Sequence, residues 1–300
     1  MLEFLWCLVV TTWIGIGFKL FTRFKVNTFN AIVINYTVCL ILGTLLNPDK
    51  ELPFSASILS APWFLFDVLL GFLFIAGFNL TAFSIQRAGI TMTTLIQRMS
   101  LILTVSFTVL LFHEPFGWLQ AIGLILALMA IVAINQKGGQ GSFSLAGRPP
   151  LLLLTVLVFS AAIEILLFYV EKSGIVGQQQ MAFTTHGFGC AAIVGWLATG
   201  WLWLRKGNRI TIRDIVAGVM LGIPNFFSIY LLLRMLNQGW DGSVMYPLVN
   251  VSVLLLSTFV AVLAFREKLS RINWIGIALA SAAILLIAYA HNPEMWKTGF

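Results

Sequence analysis

Charge is what this sequence has least of: only 10% of its 300 residues are Asp, Glu, Lys or Arg, against about a quarter in a soluble domain. That shortage excludes a chain whose whole surface meets water, and with it an ordinary cytosolic enzyme or a disordered segment. Cysteine is scarce as well. The three present, Cys7, Cys39 and Cys190, lie in apolar runs, so they form neither a disulfide framework nor a metal-ligand pattern and read as small buried side chains. Histidine also occurs three times. His113-Glu114 lacks a second His four residues on, which excludes a zinc protease of the H-E-x-x-H type. No Asp is expected mid-span, which argues against a paired-aspartate intramembrane protease. The sequence therefore reads as a non-enzyme, with no cofactor and no metal expected.

In place of charge there is apolar surface: 59% of residues are hydrophobic and 13% aromatic, with 25 Phe and 10 Trp. Mean hydropathy is +0.96. A helix that crosses a bilayer needs about 20 mostly apolar residues, because unpaired backbone groups cannot stand in hydrocarbon. Ten such spans are predicted, over 2–21, 28–46, 64–86, 91–112, 116–135, 150–170, 179–204, 214–236, 243–265 and 272–290. The expected fold is an all-α polytopic membrane protein, with no room for a nucleotide-binding domain. The first run reads as a retained span: it is long for a signal peptide, it holds Glu3 where a basic region is expected, and no A-x-A site follows.

Net charge is +7. In a soluble protein that surplus would suggest nucleic acid, but here its placement matters more. Loops after odd-numbered spans hold thirteen basic residues, including the Arg205–Arg213 and Arg266–Arg271 clusters. The termini and remaining loops hold four, Lys50, Lys172, Arg234 and Lys297. By the positive-inside rule both termini are expected on the non-cytoplasmic side. No nucleic-acid partner is expected.

The two halves are alike. With a shift of 153 residues, FHEPFGWLQAIG (112–123) lies on FREKLSRINWIG (265–276), pairing Glu114 with Glu267 and Gly123 with Gly276. The register continues through Gly89 and Gly242, Leu126 and Leu279, and Ala130 and Ala283. With a shift of 147, Asp67 pairs with Asp214, Gly71 with Gly218 and Arg87 with Arg234. Five is odd, so a five-span unit followed by its copy enters the membrane the opposite way, as in many secondary transporters. The expected division is a first repeat over 1–136, a Gly-rich linker over 137–149 and a second repeat over 150–300. The fold expected is thus ten transmembrane helices in two inverted five-helix repeats.

The segments LLFHEPFGWLQAIGLILALMAIVAI and LAFREKLSRINWIGIALASAAILLIA, each closing a five-span half, resemble the drug/metabolite transporter superfamily, EamA type. The resemblance implies export or exchange of a small metabolite, an amino acid in many members, through a cavity lined by spans 1–4 and 6–9. It implies an integral protein of the bacterial inner membrane, monomeric or weakly dimeric, whose partners are a small-molecule substrate and the lipid bilayer. Well-known ten-span members place their termini inside, whereas the charges here argue outside. A lipid-carrier or nucleotide-sugar translocator of the same fold is the alternative, and a non-transport membrane scaffold a more distant one.

Ionisable residues inside a membrane are costly and face a cavity or one another. Arg98 in span 4 and Glu164 in span 6 are the two expected well inside. Arg98 is assigned the anionic part of a substrate and Glu164 a proton-coupling role; mutual pairing, or snorkelling of Arg98 to the surface, is the simpler reading. Asn35 and Tyr36 in span 2, Asn79 in span 3, and Thr94 and Gln97 in span 4 form a polar belt in the inner half. His186 in span 7 and Tyr246 and Asn250 in span 9 form another in the outer half. Gln97 and Asn250 are partners at the 153 shift. Trp13 in span 1 is expected to stack on a substrate ring. For any one of these side chains, interhelical hydrogen bonding is the plainer role. Pro224 and Pro247 each remove a backbone donor, and a broken helix at Pro224 would expose polar backbone. Glu114 and Glu267 read as helix N-terminal caps at the turns into spans 5 and 10.

Overall fold

The computed structural model describes residues 2–47, 56–88, 90–136, 149–206, 209–265 and 269–291. Residues 137–148 of the expected 137–149 linker, Gly89, Glu267 and the Arg266–Lys268 part of the second basic cluster lie outside the described residues.

The apolar runs form helices α1 (Leu2–Arg23), α2 (Thr28–Leu46), α3 (Phe64–Ala88), α4 (Ile90–Met99), α5 (Leu101–Phe112), α6 (Trp118–Asn135), α7 (Pro150–Lys172), α8 (Gln180–Lys206), α9 (Ile212–Asn237), α10 (Gly242–Phe265) and α11 (Arg271–His291). Among the described residues ten segments are long and apolar enough to cross a membrane, and the fourth, Met92–Phe112, takes in most of α4 and all of α5. Polar residues mark the ends. Thr211 Oγ1 accepts the Asp214 N–H at 3.4 Å while Asp214 Oδ2 accepts the Thr211 N–H at 2.9 Å, a capping box that starts α9. Gly117 N–H donates to Gln120 Oε1 at 2.6 Å before α6, and Ser270 N–H to Asn273 Oδ1 at 2.9 Å before α11. The short turn from α9 to α10 passes through Gly239 at φ +93°, a conformation that a side chain would oppose.

The chain forms two compact units. The first comprises Met1–Ala82 and Ala162–Gln238, the second Phe83–Ala161 and Gly239–Phe300. Each therefore takes residues from both halves of the sequence.

In the first unit α2 packs on α8 and α9, and α1 on α9. Its core centres on the Tyr36 ring, stacked on Phe74 and Phe188. Gly218 and Gly222 let α9 reach the α2 backbone: a Cβ at Gly218 would stand 2.7 Å from the Ala31 carbonyl oxygen, and one at Gly222 2.8 Å from that of Asn35. In lipid such close van der Waals approach, rather than burial from water, drives helix association. In the second unit α6 and α11 form the main pair, with Ala127, Ala130, Ala280 and Ala283 all 0% exposed between them. Outward faces of both units carry large exposed apolar side chains such as Leu5, Trp6, Leu65, Phe72, Leu110, Ile125, Trp201 and Ile275. In an all-helical chain with ten such helices, that surface makes the protein an integral membrane protein.

Pro224 lies inside α9 and Pro247 inside α10, and both helices run through them. In span 4, α4 and α5 meet at Ser100, whose backbone stays helical (φ −55°, ψ −25°). Ser100 donates both its N–H (3.2 Å) and its Oγ hydroxyl (2.6 Å) to the Gln97 carbonyl, tightening the chain into a turn between α4 and α5.

Candidate functional site

The residues singled out by sequence fall into two groups, one in each unit. In the second unit, Gln97 and Arg98 occupy the last turn of α4, shortly before Ser100, where α10 faces them. Arg98 Nη1 donates to the Asn250 carbonyl at 3.1 Å, and Asn250 Nδ2 donates to the Tyr246 carbonyl at 3.2 Å. Arg98, Gln97, Thr94 and Asn250 are half-buried, whereas Tyr246 is 2% exposed. Span 4 and span 9 thus meet at Asn250, the partner at the 153 shift of Gln97, which neighbours Arg98.

In the first unit the polar residues do different things. Asn35 is fully buried; its Oδ1 accepts from Asn225 Nδ2 at 3.2 Å, tying α2 to α9. Tyr36 is buried at 0% exposure in the aromatic core. Asn79 is exposed and donates to the Ile75 carbonyl one turn back at 2.7 Å. Trp13 lies with Phe21, Leu221 and Arg213 along an apolar groove of about 460 Å³ between α1 and α9. Glu164 is half-buried on α7. His186 Nδ1 meets Asp67 Oδ2 at 3.1 Å, with the imidazole flanked by Trp63 and Phe64.

Asp67 is the residue that sequence reasoning missed. It is matched to Asp214 but offered no site role by the sequence, and it is 0% exposed in the first turn of α3. Asp214 is 1% exposed in the first turn of α9. The signal available was their pairing at the 147 shift, together with a first-turn position where a helix favours a carboxylate. Glu114 also serves another helix than the one expected. Its carboxylate accepts the N–H groups of Gly242 (2.8 Å) and Ser243 (2.7 Å), so it caps α10 and not the helix that follows it in sequence. Glu171 accepts from Gln180 Nε2 at 3.1 Å and Asn237 Nδ2 at 2.9 Å, gathering the ends of α7, α8 and α9.

Comparison with known proteins completes the site's context. A relative in Haemophilus influenzae, described only as an uncharacterized protein, is 29% identical over 263 residues, 86% of this chain and 88% of that one. A crystal structure at 18% identity covers 98% of both chains with a TM-score of 0.72, which shows a shared fold. Residues 1–136 match the model of the EamA-like transporter family. Over residues 1–136, then, the chain is similar to the EamA-like transporter family, and the ten membrane-length helices among the described residues agree with that similarity.

Proposed function

We propose that the protein is a secondary transporter that exports or exchanges a small metabolite by alternating access, with amino acids the first class to test. The observation that carries this reading is Arg98, half-buried in the last turn of α4 and bonded to the α10 carbonyl of Asn250. An ionisable residue within a span marks a substrate or ion pathway by default, and an arginine suits a carboxylate or phosphate. In this reading Arg98, Gln97, Tyr246 and Asn250 are the substrate-binding candidates of the second unit. Those of the first, taken by themselves, are Asn35, Tyr36, Asn79, His186 and Trp13, and Glu164 carries the coupling proton. The repeats span 1–136 and 150–300, joined by 137–149. The setting is a bacterial inner membrane with both termini outside the cytoplasm, and the working form a monomer or weak dimer without nucleic-acid partners. The reading takes the protein to be a carrier and not an enzyme.

A lipid-carrier translocator of the same fold is the second reading. It is favoured by the apolar groove between α1 and α9, which has Arg213 among its lining residues.

A thermal-shift screen of purified protein against amino acids, nucleosides, sugars and a polyprenyl phosphate tests both readings. The metabolite reading expects stabilisation by a compound with an anionic group and its loss in Arg98→Ala. Stabilisation by the polyprenyl phosphate alone would replace it with the second.

A further inference from the structure

Two carboxylates open spans 3 and 8, paired at the 147 shift, and their surroundings differ. Asp214 is held by N–H donors on both oxygens: Asn27 on Oδ1 at 2.8 Å, and Thr211 at 2.9 Å and Asn30 Nδ2 at 3.3 Å on Oδ2. Donors of that kind satisfy a carboxylate as an anion. Asp67 is equally buried, yet its Oδ2 meets the His186 ring and its Oδ1 has no hydrogen-bond partner among the described residues.

The partners are equivalent as well. Asn30 and His186 lie 156 residues apart, as do Ile34 and Cys190. A Cβ built on Gly218 would stand 2.5 Å from Ile34 Cβ, and one on Gly71 2.5 Å from Cys190 Cβ. At one of two matched positions, therefore, an amide that holds no exchangeable charge faces the aspartate. At the other stands a histidine.

We propose that Asp67 and His186 form a proton-binding site of the first unit. With one proton the pair is neutral, whichever residue holds it; with none it carries a single negative charge where one carboxylate oxygen lacks a donor. An unpaired buried charge is expensive, so the proton is the ligand that completes the site, and the two groups titrate together. The His186 side chain is 19% exposed and that of Asp67 0%, so the proton enters through the imidazole. The Trp63 and Phe64 rings, with centroids 5.8 and 5.6 Å from that of the imidazole, lie within reach for cation–π attraction to the protonated form. Gly187 makes the room: a Cβ there would stand 2.9 Å from Asp67 Oδ1.

Other titratable groups on the same and neighbouring helices are accounted for as follows. Cys190 Sγ lies 3.8 Å from His186 Nδ1. On α2, Cys39 Sγ contacts the Gly222 carbonyl and Tyr36 stacks on Phe188. On α7, Tyr169 lies against Phe66, Glu171 is held by Gln180 and Asn237, and Glu164 is half-buried. The proposal deepens the transport reading, since a carrier with such a site answers to pH. Its test needs no substrate, so the two readings fail separately.

Protein labelled with ¹³C at histidine and held in lipid nanodiscs is titrated by NMR across the range in which imidazoles charge, about pH 5 to 9. Only three histidines contribute, and His186 is assigned by the signal lost in His186→Asn. That variant copies the Asn30 arrangement and so keeps the fold. The expected result is a titrating His186 whose midpoint moves by about 1 pH unit or more in Asp67→Asn. A His186 signal that does not titrate, or an unmoved midpoint, overturns the proposal. Should Asp67→Asn not fold, proton uptake over the same range is compared between wild type and His186→Asn: a smaller uptake in the variant supports the site and equal uptake overturns it.

Discussion

Gly276 of α11 lies against Ile134 of α6 so closely that a Cβ on the glycine would stand 2.8 Å from the Ile134 backbone nitrogen. The same contact recurs with roles exchanged: a Cβ on Gly123 of α6 would stand 2.5 Å from Cγ1 of Ile287 on α11. Both glycines and both isoleucines are partners at the 153 shift. Each helix gives the other what it receives, which is how two surfaces meet about a local two-fold. Replacing Gly by Ala in a helix ordinarily gains about 0.5–1 kcal/mol, while overpacking costs about 1–3 kcal/mol. At Gly276 the neighbour is backbone, which cannot yield, so Gly276→Ala should lower stability. Gly200→Ala, whose Cβ would meet nothing within 4 Å, should be neutral or stabilising. Unfolding in mixed micelles by added SDS compares the two.

Glu114→Ala should release the first turn of α10. Both carboxylate oxygens take backbone N–H groups there, and hydrogen bonds to a charged group contribute about 1.5–3 kcal/mol. Faster hydrogen exchange at Gly242 and Ser243 than in wild type is the expected readout, with α6 unaffected. Unchanged protection at those amides would show that the cap contributes little.

Asn273 closes the end of the neighbouring helix. Its Nδ2 faces the carbonyls of Ala133 (3.1 Å), Ile134 (2.9 Å) and Gln136 (2.8 Å), groups that a helix C-terminus cannot satisfy itself. Asn273→Ala should destabilise by about 1–3 kcal/mol, and Asn273→Leu, close in volume, should not recover the loss. SDS unfolding of both variants checks this.

Substrate binding should depend on the guanidinium of Arg98 and not on charge alone. Losing hydrogen bonds to a charged group at about 1.5–3 kcal/mol corresponds to roughly ten- to hundredfold weaker binding. Both Arg98→Ala and Arg98→Lys should therefore bind the compound identified by thermal shift at least about tenfold more weakly, because lysine lacks the planar fork. Calorimetric titration measures it; a lysine variant with wild-type affinity would reject the forked contact.

Orientation is open to a direct labelling test. Leu2 is 69% exposed at the start of α1, whereas Cys7 is 1% exposed. A membrane-impermeant maleimide should label Leu2→Cys in intact cells if the N-terminus is outside. Labelling only after lysis would reverse the orientation and with it the expected sides of all ten spans.

Most of the helix plan was legible in the sequence, and the reason is physical. Predicted spans such as 28–46 and 243–265 agree with α2 and α10 to within a residue, because Asn47 follows one and Gly242 begins the other where the apolar run stops. The tightened turn at Ser100 in span 4 was not legible. Pro224 is the stronger local signal, yet a proline removes one donor that neighbouring helices can compensate, while Ser100 has two donors to turn back on Gln97. The site was half legible: polar residues within spans were identified, but whether each faces a partner depends on which helix lies beside it. Asn35 met Asn225, and Arg98 met the Asn250 carbonyl.

The shortage of charge by itself determined that this chain lies in a membrane. Hydrocarbon cannot satisfy backbone groups, so apolar runs of this length must become helices. The internal match by itself related Asp67 to Asp214 and Gly123 to Gly276. What only the tertiary structure decided is whom each of those residues faces. Glu114 takes its donors from residues 128 and 129 positions away, and Asp67 found an imidazole where Asp214 found an amide. A carboxylate's chemistry is set by the donors around it, and in a helical bundle the decisive donors belong to other helices.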